Sequence, residues 1–277
     1  MSSPFVTPAW LAQHLNDPGL VVVDASWHMP NSTRNAQAEY LDGHIPGAVF
    51  FDIDGIADTS SDLPHMLPAA ADFARAVGAL GISEDMTIVV YDEVGLFSAP
   101  RVWWTFRAFG ASDVRILEGG GPKWRAERRP IETGLVRRNP AQFRARFDPE
   151  ATADFETVAA RSRDHAAQVI DARPAPRFHA EAPEPRAGLR SGHIPGSLNV
   201  PVSLLSENGV LKSPENLRTI FAERGVDLGR PIITSCGSGI TAVTLALALE
   251  QAGADTVAVY DGSWAEWGAR PDAEIES

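Results

Sequence analysis

The sequence predicts an α/β protein built from two copies of one domain, each a mainly parallel sheet with helices on both faces. The pentapeptide Gly-His-Ile-Pro-Gly occurs at residues 43–47 and again, 149 positions later, at 192–196. Within each half, short runs of β-branched residues alternate with helical patterns, for example at 69–80 and 214–224. Such alternation is typical of parallel strands joined by crossover helices. A chain of 277 residues is long enough for two domains, each with its own core.

Matched landmarks surround both copies of the pentapeptide. Upstream of each copy an apolar run ends in aspartate, at 21–24 and 169–171. Downstream, a helical stretch leads to a short apolar strand, at 88–91 and 232–235. Later landmarks in register are the helix stops, the glycine turns and two tryptophans: 109–113 and 251–255, 117–120 and 260–263, Trp124 and Trp267. Because several landmarks recur in one order, a duplicated domain explains them better than a common turn does.

The repeat also suggests where the domains begin and end. We place the first domain at residues 1–130, an interdomain linker at 131–154 and the second domain at 155–277. The stretch from about 127 to 154 has no counterpart in the other half, and it contains three prolines and several arginines. Prolines are common in loops and rare inside helices and strands, so this stretch is predicted to be an interdomain linker. We interpret the arginines as a solvated or domain-bridging surface rather than a polyanion site.

Composition excludes several classes of protein. The contents of 44% hydrophobic and 22% charged residues are those of a soluble globular protein. A net charge of −12 argues against nucleic-acid binding, and no apolar run reaches the roughly 18 residues of a membrane span. No signal peptide is evident at the start, and a single cysteine excludes an internal disulfide or a multi-cysteine metal site. We therefore expect a cytoplasmic protein without a metal site.

The only cysteine, Cys236, stands between a predicted strand and an apolar helix. The strand covers 232–235 and the helix 242–250, with Gly-Ser-Gly-Ile-Thr at 237–241 between Cys236 and the helix. Glycines permit backbone angles at which successive N–H groups converge on one point, and the helix start adds partial positive charge. Both effects stabilise an anion at Cys236 and so favour a nucleophilic thiolate. Most free cysteines are buried and inert, but this loop favours a reactive one.

The register of the repeat places Asp92 opposite Cys236. The first half is therefore expected to keep the fold without the thiol nucleophile. The two repeated histidines, His44 and His193, occur in both an active and an inactive half. We interpret them as residues that stabilise a turn, not as catalytic groups.

Together these features resemble the 3-mercaptopyruvate sulfurtransferase family, whose members are two-domain rhodanese-like proteins. The resemblance runs from about residue 10 to 270 and includes the loop Cys-Gly-Ser-Gly-Ile-Thr. Other matching stretches lie at 24–27, 50–54, 65–68, 98–104 and 260–264. The resemblance implies that Cys236 carries sulfur as a persulfide. The sulfur would come from 3-mercaptopyruvate and pass to a thiol or cyanide, with release of pyruvate and no metal or organic cofactor.

The resemblance also implies roles for individual residues. The family binds the substrate carboxylate with arginines in the segment that holds Arg177 and Arg186, and a guanidinium can form two hydrogen bonds to a carboxylate. Its Ser-His-Asp group falls on Ser238, His65 and Asp54, which follow the logic of a catalytic triad. Since His65 and Asp54 come from the first half, the site would lie between the domains. The persulfide would rest against N–H groups of the loop: Gly237, Gly239, Ile240 and Thr241.

Other functions remain open from the sequence. Thiosulfate sulfurtransferases carry basic residues directly after the cysteine, whereas Gly237 and Ser238 stand here and give little selectivity for a dianion. A cysteine phosphatase needs an arginine six residues after the cysteine, where this chain has Ala242. A non-catalytic sulfur carrier or interaction module is disfavoured by the intact loop and the two arginines.

The sulfur acceptor is expected to come from outside the chain. With no second cysteine, an internal resolving disulfide cannot form, so a thiol such as that of thioredoxin is the expected partner. Nucleic acids and membranes are not expected as partners.

Overall fold

The computed structural model describes residues 3–277 and divides them into two units. Unit 1 contains the residues up to Thr59, Leu67–Asp148 and Asn208–Val210. Unit 2 contains Ser60–Met66, Pro149–Glu207 and Leu211–Ser277. Residues 60–66, from the first half of the sequence, thus belong to unit 2, and residues 208–210, from the second half, belong to unit 1.

Unit 1 is built on a five-stranded sheet in the order β1-β5-β4-β2-β3, and every neighbouring pair is parallel. Its elements are β1 Phe5–Val6, α1 Pro8–His14, β2 Leu20–Asp24, α2 Ala36–Asp42, β3 Val49–Phe50, α3 Ala70–Ala79, β4 Thr87–Tyr91, α4 Ala99–Ala108, β5 Asp113–Leu117 and α5 Gly120–Ala126.

Unit 2 repeats this design in a second five-stranded sheet. Its order is β6-β12-β11-β7-β8, again with parallel neighbours throughout. Its elements are β6 Thr152–Ala153, α6 Phe155–Asp164, β7 Gln168–Asp171, α7 Ala175–Phe178, β8 Leu198–Asn199, α8 Pro214–Glu223, β11 Ile232–Ser235, α9 Thr241–Ala252, β12 Val257–Tyr260 and α10 Ser263–Trp267. A separate two-stranded ladder joins β9 Ser206–Glu207 and β10 Val210–Leu211. The predicted duplication of an α/β domain is confirmed.

The inner strands of both sheets are rich in apolar residues because they are covered on both sides. All five residues of β2 are buried, as are all four of β11. A strand of a parallel sheet that is buried on both faces has a continuous apolar run instead of an alternating pattern. Helix α9 is also buried along almost its whole length, since it packs against both the sheet and α8. These packed strands and helices fix the loops at the carboxyl ends of the strands.

The pentapeptide turns are held by glutamates from segments far along the chain. His44 forms an antiparallel bridge with Glu132, and Oε2 of Glu132 accepts a hydrogen bond from the turn glycine N–H at 2.7 Å. His193 pairs in the same way with Glu276, whose Oε2 accepts from Gly196 N at 2.9 Å. In the sequence, the region around 132 shows no counterpart in the second half of the chain. The structure corrects this, because Glu132 and Glu276 are equivalent.

The ring nitrogens of the two pentapeptide histidines bind backbone carbonyls. Nδ1 of His44 lies 2.7 Å from Tyr40 O, and Nδ1 of His193 lies 2.9 Å from Phe178 O. These contacts agree with the interpretation that both histidines stabilise a turn.

The residues after 131 pack within unit 1 as far as Asp148. Phe143 is buried and meets the ring of Phe73 edge-on at 5.3 Å. The N–H of Ala141 donates to Gly78 O at 2.9 Å. The domain boundaries at 130 and 155 stay a prediction.

None of the helices in the described chain is both long and apolar enough to cross a membrane.

Asp24 is a buried carboxyl group at the end of β2. It accepts hydrogen bonds from Ser26 N at 2.9 Å and from the Tyr91 hydroxyl at 2.8 Å. Burial raises the pKa of Asp24 from 3.8 to about 6. Its counterpart Asp171 instead forms an ion pair with the guanidinium of Arg173.

Replacing Asp24 by asparagine should remove part of the pH dependence of folding. Because the pKa of Asp24 is higher in the folded state, folding favours the protonated form, and stability rises as the pH falls through about 6. Between pH 7 and pH 5 the wild type should gain about 1.3 kcal/mol relative to Asp24→Asn. Denaturant unfolding at both pH values measures this difference. An equal change in unfolding free energy between pH 7 and pH 5 in the wild type and in Asp24→Asn would contradict the prediction.

Candidate active site

Cys236 follows the central strand of the unit 2 sheet directly. It is 2% exposed and stands one residue after β11, and α9 begins at Thr241. The carboxyl ends of strands are where open α/β sheets bind ligands. The first turn of a helix also carries free N–H groups and partial positive charge. Cys236 therefore occupies a position suited to a charged sulfur.

The two loop glycines have different functions. We expected both to adopt unusual backbone angles, but only Gly239 is left-handed, with φ of 78°. The prediction is wrong for Gly237, which instead provides space. A Cβ at Gly237 would lie 3.1 Å from Nη2 of Arg177. Glycine therefore lets the guanidinium of Arg177 approach the residue next to the cysteine.

Glu184 holds Arg177 in this position. Its side chain is 2% exposed and accepts hydrogen bonds from Nε of Arg177 at 3.2 Å and from Nη2 of the same residue. Glu184 also pairs with Nη1 of Arg173 at 2.8 Å. Among the described residues, Nη1 of Arg177 has no hydrogen-bond partner. Its N–H groups can therefore bind a carboxylate of a substrate.

Arg173 connects the arginine segment with the cysteine loop. It is 1% exposed, and its guanidinium lies 4.2 Å from the ring centre of Trp264. The backbone N–H of Trp264 in turn donates to Cys236 O at 3.0 Å. Sequence reasoning missed Arg173. The available signal was the register of the repeat, in which Arg173 stands where unit 1 has Ser26.

The predicted Ser-His-Asp residues are divided between the units. Ser238 and His65 belong to unit 2, and Asp54 belongs to unit 1, where Oδ2 accepts from Trp27 Nε1 at 2.9 Å. Nε2 of His65 lies 3.4 Å from Nη2 of Arg186. Because a guanidinium only donates, the lone pair of Nε2 faces Arg186. His65 thus joins the arginine segment, and the triad role of these residues stays a prediction.

Unit 1 shows what the loop after the central strand can bind. Asp92 is buried at the end of β4. Its carboxylate accepts five backbone hydrogen bonds at 2.5 to 2.9 Å, from the N–H groups of Val94, Gly95, Phe97, Ser98 and Ala99. Because these N–H groups converge on a negatively charged group, this strand-end loop is an anion-binding structure.

Backbone hydrogen bonds establish that Asp92 and Cys236 are equivalent. Gly121 N donates to Asp92 O at 3.0 Å, and Trp264 N donates to Cys236 O at the same distance. The strands before them also correspond, since β4 and β11 are both central. The structure therefore places Asp92 opposite Cys236, as the sequence predicts.

Two α/β units, with a buried cysteine after the central strand of one and a buried aspartate in its place in the other, define a tandem rhodanese-fold protein. A model of the rhodanese-like domain matches the chain twice, at residues 7–127 and 154–270. The chain belongs to the rhodanese-like domain family and carries two such domains.

Several known proteins that are similar to this chain are named as sulfurtransferases. The chain is 50% identical over 273 residues to the 3-mercaptopyruvate sulfurtransferase of Escherichia coli K12, covering 98% of this chain and 97% of that one. It is 46% identical over 270 residues to the thiosulfate sulfurtransferase of Cricetulus griseus, covering 95% and 91%. The crystal structure of SseA from Escherichia coli, a 3-mercaptopyruvate sulfotransferase, matches with a TM-score of 0.89 and 47% identity, covering 95% of this chain and 99% of that one. The predicted family, fold class and enzyme class are confirmed.

Replacing Asp92 by asparagine should destabilise the protein. An amide has one acceptor oxygen and an NH₂ group that would face backbone donors, so buried N–H groups would lose their partners. We expect a loss of about 3 kcal/mol in the free energy of unfolding. Denaturant unfolding measures it, with Asp72→Asn on the exposed surface as the control. Equal effects of the two changes would contradict the anion-binding role of the loop.

Replacing Glu184 by glutamine should also lower stability, because it leaves two guanidiniums without their shared carboxylate. Removing one partner of a buried ion pair costs about 3 kcal/mol. Glu181→Gln, at an exposed position of the same segment, should change the unfolding free energy by less than about 0.5 kcal/mol. Unfolding in denaturant compares the two variants. A stability of Glu184→Gln equal to that of Glu181→Gln would show that Glu184 does not hold the cluster together.

Proposed function

We propose that this protein transfers sulfur from 3-mercaptopyruvate to an external thiol through a persulfide on Cys236, and that it releases pyruvate. The observation that carries the proposal is the guanidinium of Arg177 beside Gly237, the residue that follows the nucleophile. A carboxylate bound to Arg177 would therefore lie close to the sulfur of Cys236. The donor must be an anion small enough to reach both groups.

The donor is held by its carboxylate. Arg177 and Arg186 provide the cations, and Glu184 fixes the direction of Arg177. A fixed, planar guanidinium binds a carboxylate with two parallel hydrogen bonds and loses little freedom on binding. The fixed geometry orients the donor sulfur toward Cys236.

Sulfur transfer from the donor breaks one bond and makes one. The thiolate of Cys236 attacks the sulfur of 3-mercaptopyruvate, and a sulfur–sulfur bond forms. The carbon–sulfur bond breaks, and its electron pair stays on carbon as the enolate of pyruvate, which then takes up a proton. Ser238, His65 and Asp54 assist this proton movement in our proposal.

The persulfide is stabilised by the loop that follows it. In our proposal the terminal sulfur rests against the N–H groups of Gly237, Gly239, Ile240 and Thr241. The loop after Asp92 supports such binding in kind, because N–H groups two to seven residues after Asp92 converge there on a carboxylate. An acceptor thiolate then attacks the outer sulfur and regenerates the Cys236 thiolate. We propose a cytoplasmic thiol such as that of thioredoxin as this acceptor.

A second candidate donor is thiosulfate, since the Cricetulus griseus relative is named thiosulfate sulfurtransferase. The loop residues 237–240 contain neither lysine nor arginine. Binding a dianion in that loop would gain little attraction. This difference supports 3-mercaptopyruvate as the preferred donor.

Intact-mass spectrometry of the whole protein tests the proposal. After exposure to 3-mercaptopyruvate, the wild type should gain one sulfur atom that a thiol removes, because Cys236 stores it as a persulfide. Cys236→Ser should gain none. Initial rates should be higher with 3-mercaptopyruvate than with thiosulfate at equal concentration.

Two results would count against this assignment. A wild type that gains no labile sulfur relative to Cys236→Ser would exclude the persulfide mechanism. A clear preference for thiosulfate would exclude the assigned donor and leave the sulfurtransferase class intact.

A further inference from the structure

Ser263 occupies a backbone position that is glycine in the other unit. Its φ is 49°, and the equivalent Gly120 has φ of 56°. A Cβ at Gly120 would lie 2.4 Å from the carbonyl oxygen of Asp92, so unit 1 has no room for a side chain there. A left-handed backbone is unfavourable for any residue with a Cβ. Unit 2 therefore keeps a side chain where the fold favours glycine, and such positions cluster at functional sites.

The side chain of Ser263 contacts the nucleophile directly. Ser263 is fully buried, and Oγ accepts a hydrogen bond from Cys236 N at 3.1 Å. The hydroxyl donates to Tyr260 O at 2.8 Å. It also lies 4.0 Å from Sγ of Cys236, within hydrogen-bond reach of sulfur. Glycine could make none of these contacts.

The hydroxyl of Ser263 can serve either of two acceptors. A serine hydroxyl has one proton and two lone pairs. One lone pair holds the N–H of Cys236, and the proton can point to Tyr260 O or to Sγ. Hydrogen bonds to a charged acceptor are about twice as strong as neutral ones. A negative charge on Sγ therefore draws the proton toward the sulfur.

We propose that Ser263 is a positioning residue for Cys236, one that fixes the backbone N–H of the nucleophile and donates to Sγ whenever that sulfur is negatively charged. This inference rests on the proposed function and identifies a residue outside the Ser-His-Asp group. Ser263 acts when the thiolate attacks the donor and again when the acceptor releases the thiolate. The proposed function assigns the donor carboxylate to Arg177 and Arg186, so Ser263 has no part in holding the donor.

Two substitutions separate the hydroxyl from the backbone strain. Ser263→Gly removes both, and Ser263→Ala removes the hydroxyl alone. Each variant should form the Cys236 persulfide at least about tenfold more slowly in a single turnover with saturating 3-mercaptopyruvate, because a charge-assisted hydrogen bond is lost. The KM for the donor should stay unchanged. Ser263→Gly should unfold at a denaturant concentration equal to or higher than that of the wild type, because glycine relieves the left-handed strain.

Ser213→Ala provides the matched control. It removes a hydroxyl that caps α8 in the same unit, so it should reduce stability and leave the rate of persulfide formation unchanged. Wild-type rates in Ser263→Gly would overturn the proposal, and so would a raised KM with an unchanged rate at saturation. A slower Ser263→Ala with a normal Ser263→Gly would overturn it as well, because the hydroxyl would then be needed only to offset the strained backbone. If the wild type itself forms no persulfide, the proposed function fails instead.

Discussion

The convergence of backbone N–H groups on one acceptor at the carboxyl end of the central strand is the constraint on which unit 1 depends. In unit 1 these groups surround the carboxylate of Asp92. Buried N–H groups without an acceptor would be costly, so the loop requires an acceptor at its centre. A carboxylate meets that requirement permanently and without chemistry. In unit 2 Cys236 stands in this place, and in the proposed function the outer sulfur of its persulfide accepts the loop N–H groups.

A second constraint follows from placing cations near such a buried nucleophile. Arginines removed from water need counter-charges, because a buried unpaired charge is strongly unfavourable. Asp171 and Glu184 meet this need for Arg173 and Arg177. The same ion pairs orient the guanidinium of Arg177, and the donor binding that we propose depends on that orientation.

Much of the fold can be predicted from the sequence because its signals are local or repeated. The strand at 88–91 is a continuous apolar run, and the strand at 232–235 begins with two isoleucines, since both faces of each strand are buried. The contacts that were missed join distant segments, as Glu276 joins the second pentapeptide. Nothing in the spacing near Glu184 shows that it pairs with two arginines, because only the folded loop brings them together. For Gly237, the two glycines of the loop predicted unusual backbone angles. The structure shows instead that the missing side chain leaves space for Arg177.

The duplication separates residues that serve the fold from residues that serve chemistry. Trp124 and Trp267 each donate from Nε1 to a backbone carbonyl at 2.8 Å, six or seven residues further along the chain, so this contact belongs to the frame. Cys236, Ser263 and Arg173 have no such counterpart, since unit 1 has aspartate, glycine and serine in their places. Two of these three touch directly, and the third stacks on Trp264, the residue after Ser263. The common fold does not require cysteine, serine and arginine at these positions, because unit 1 has the same fold with other residues there. The three residues of unit 2 lie at or beside the cysteine that carries the sulfur in the proposed function.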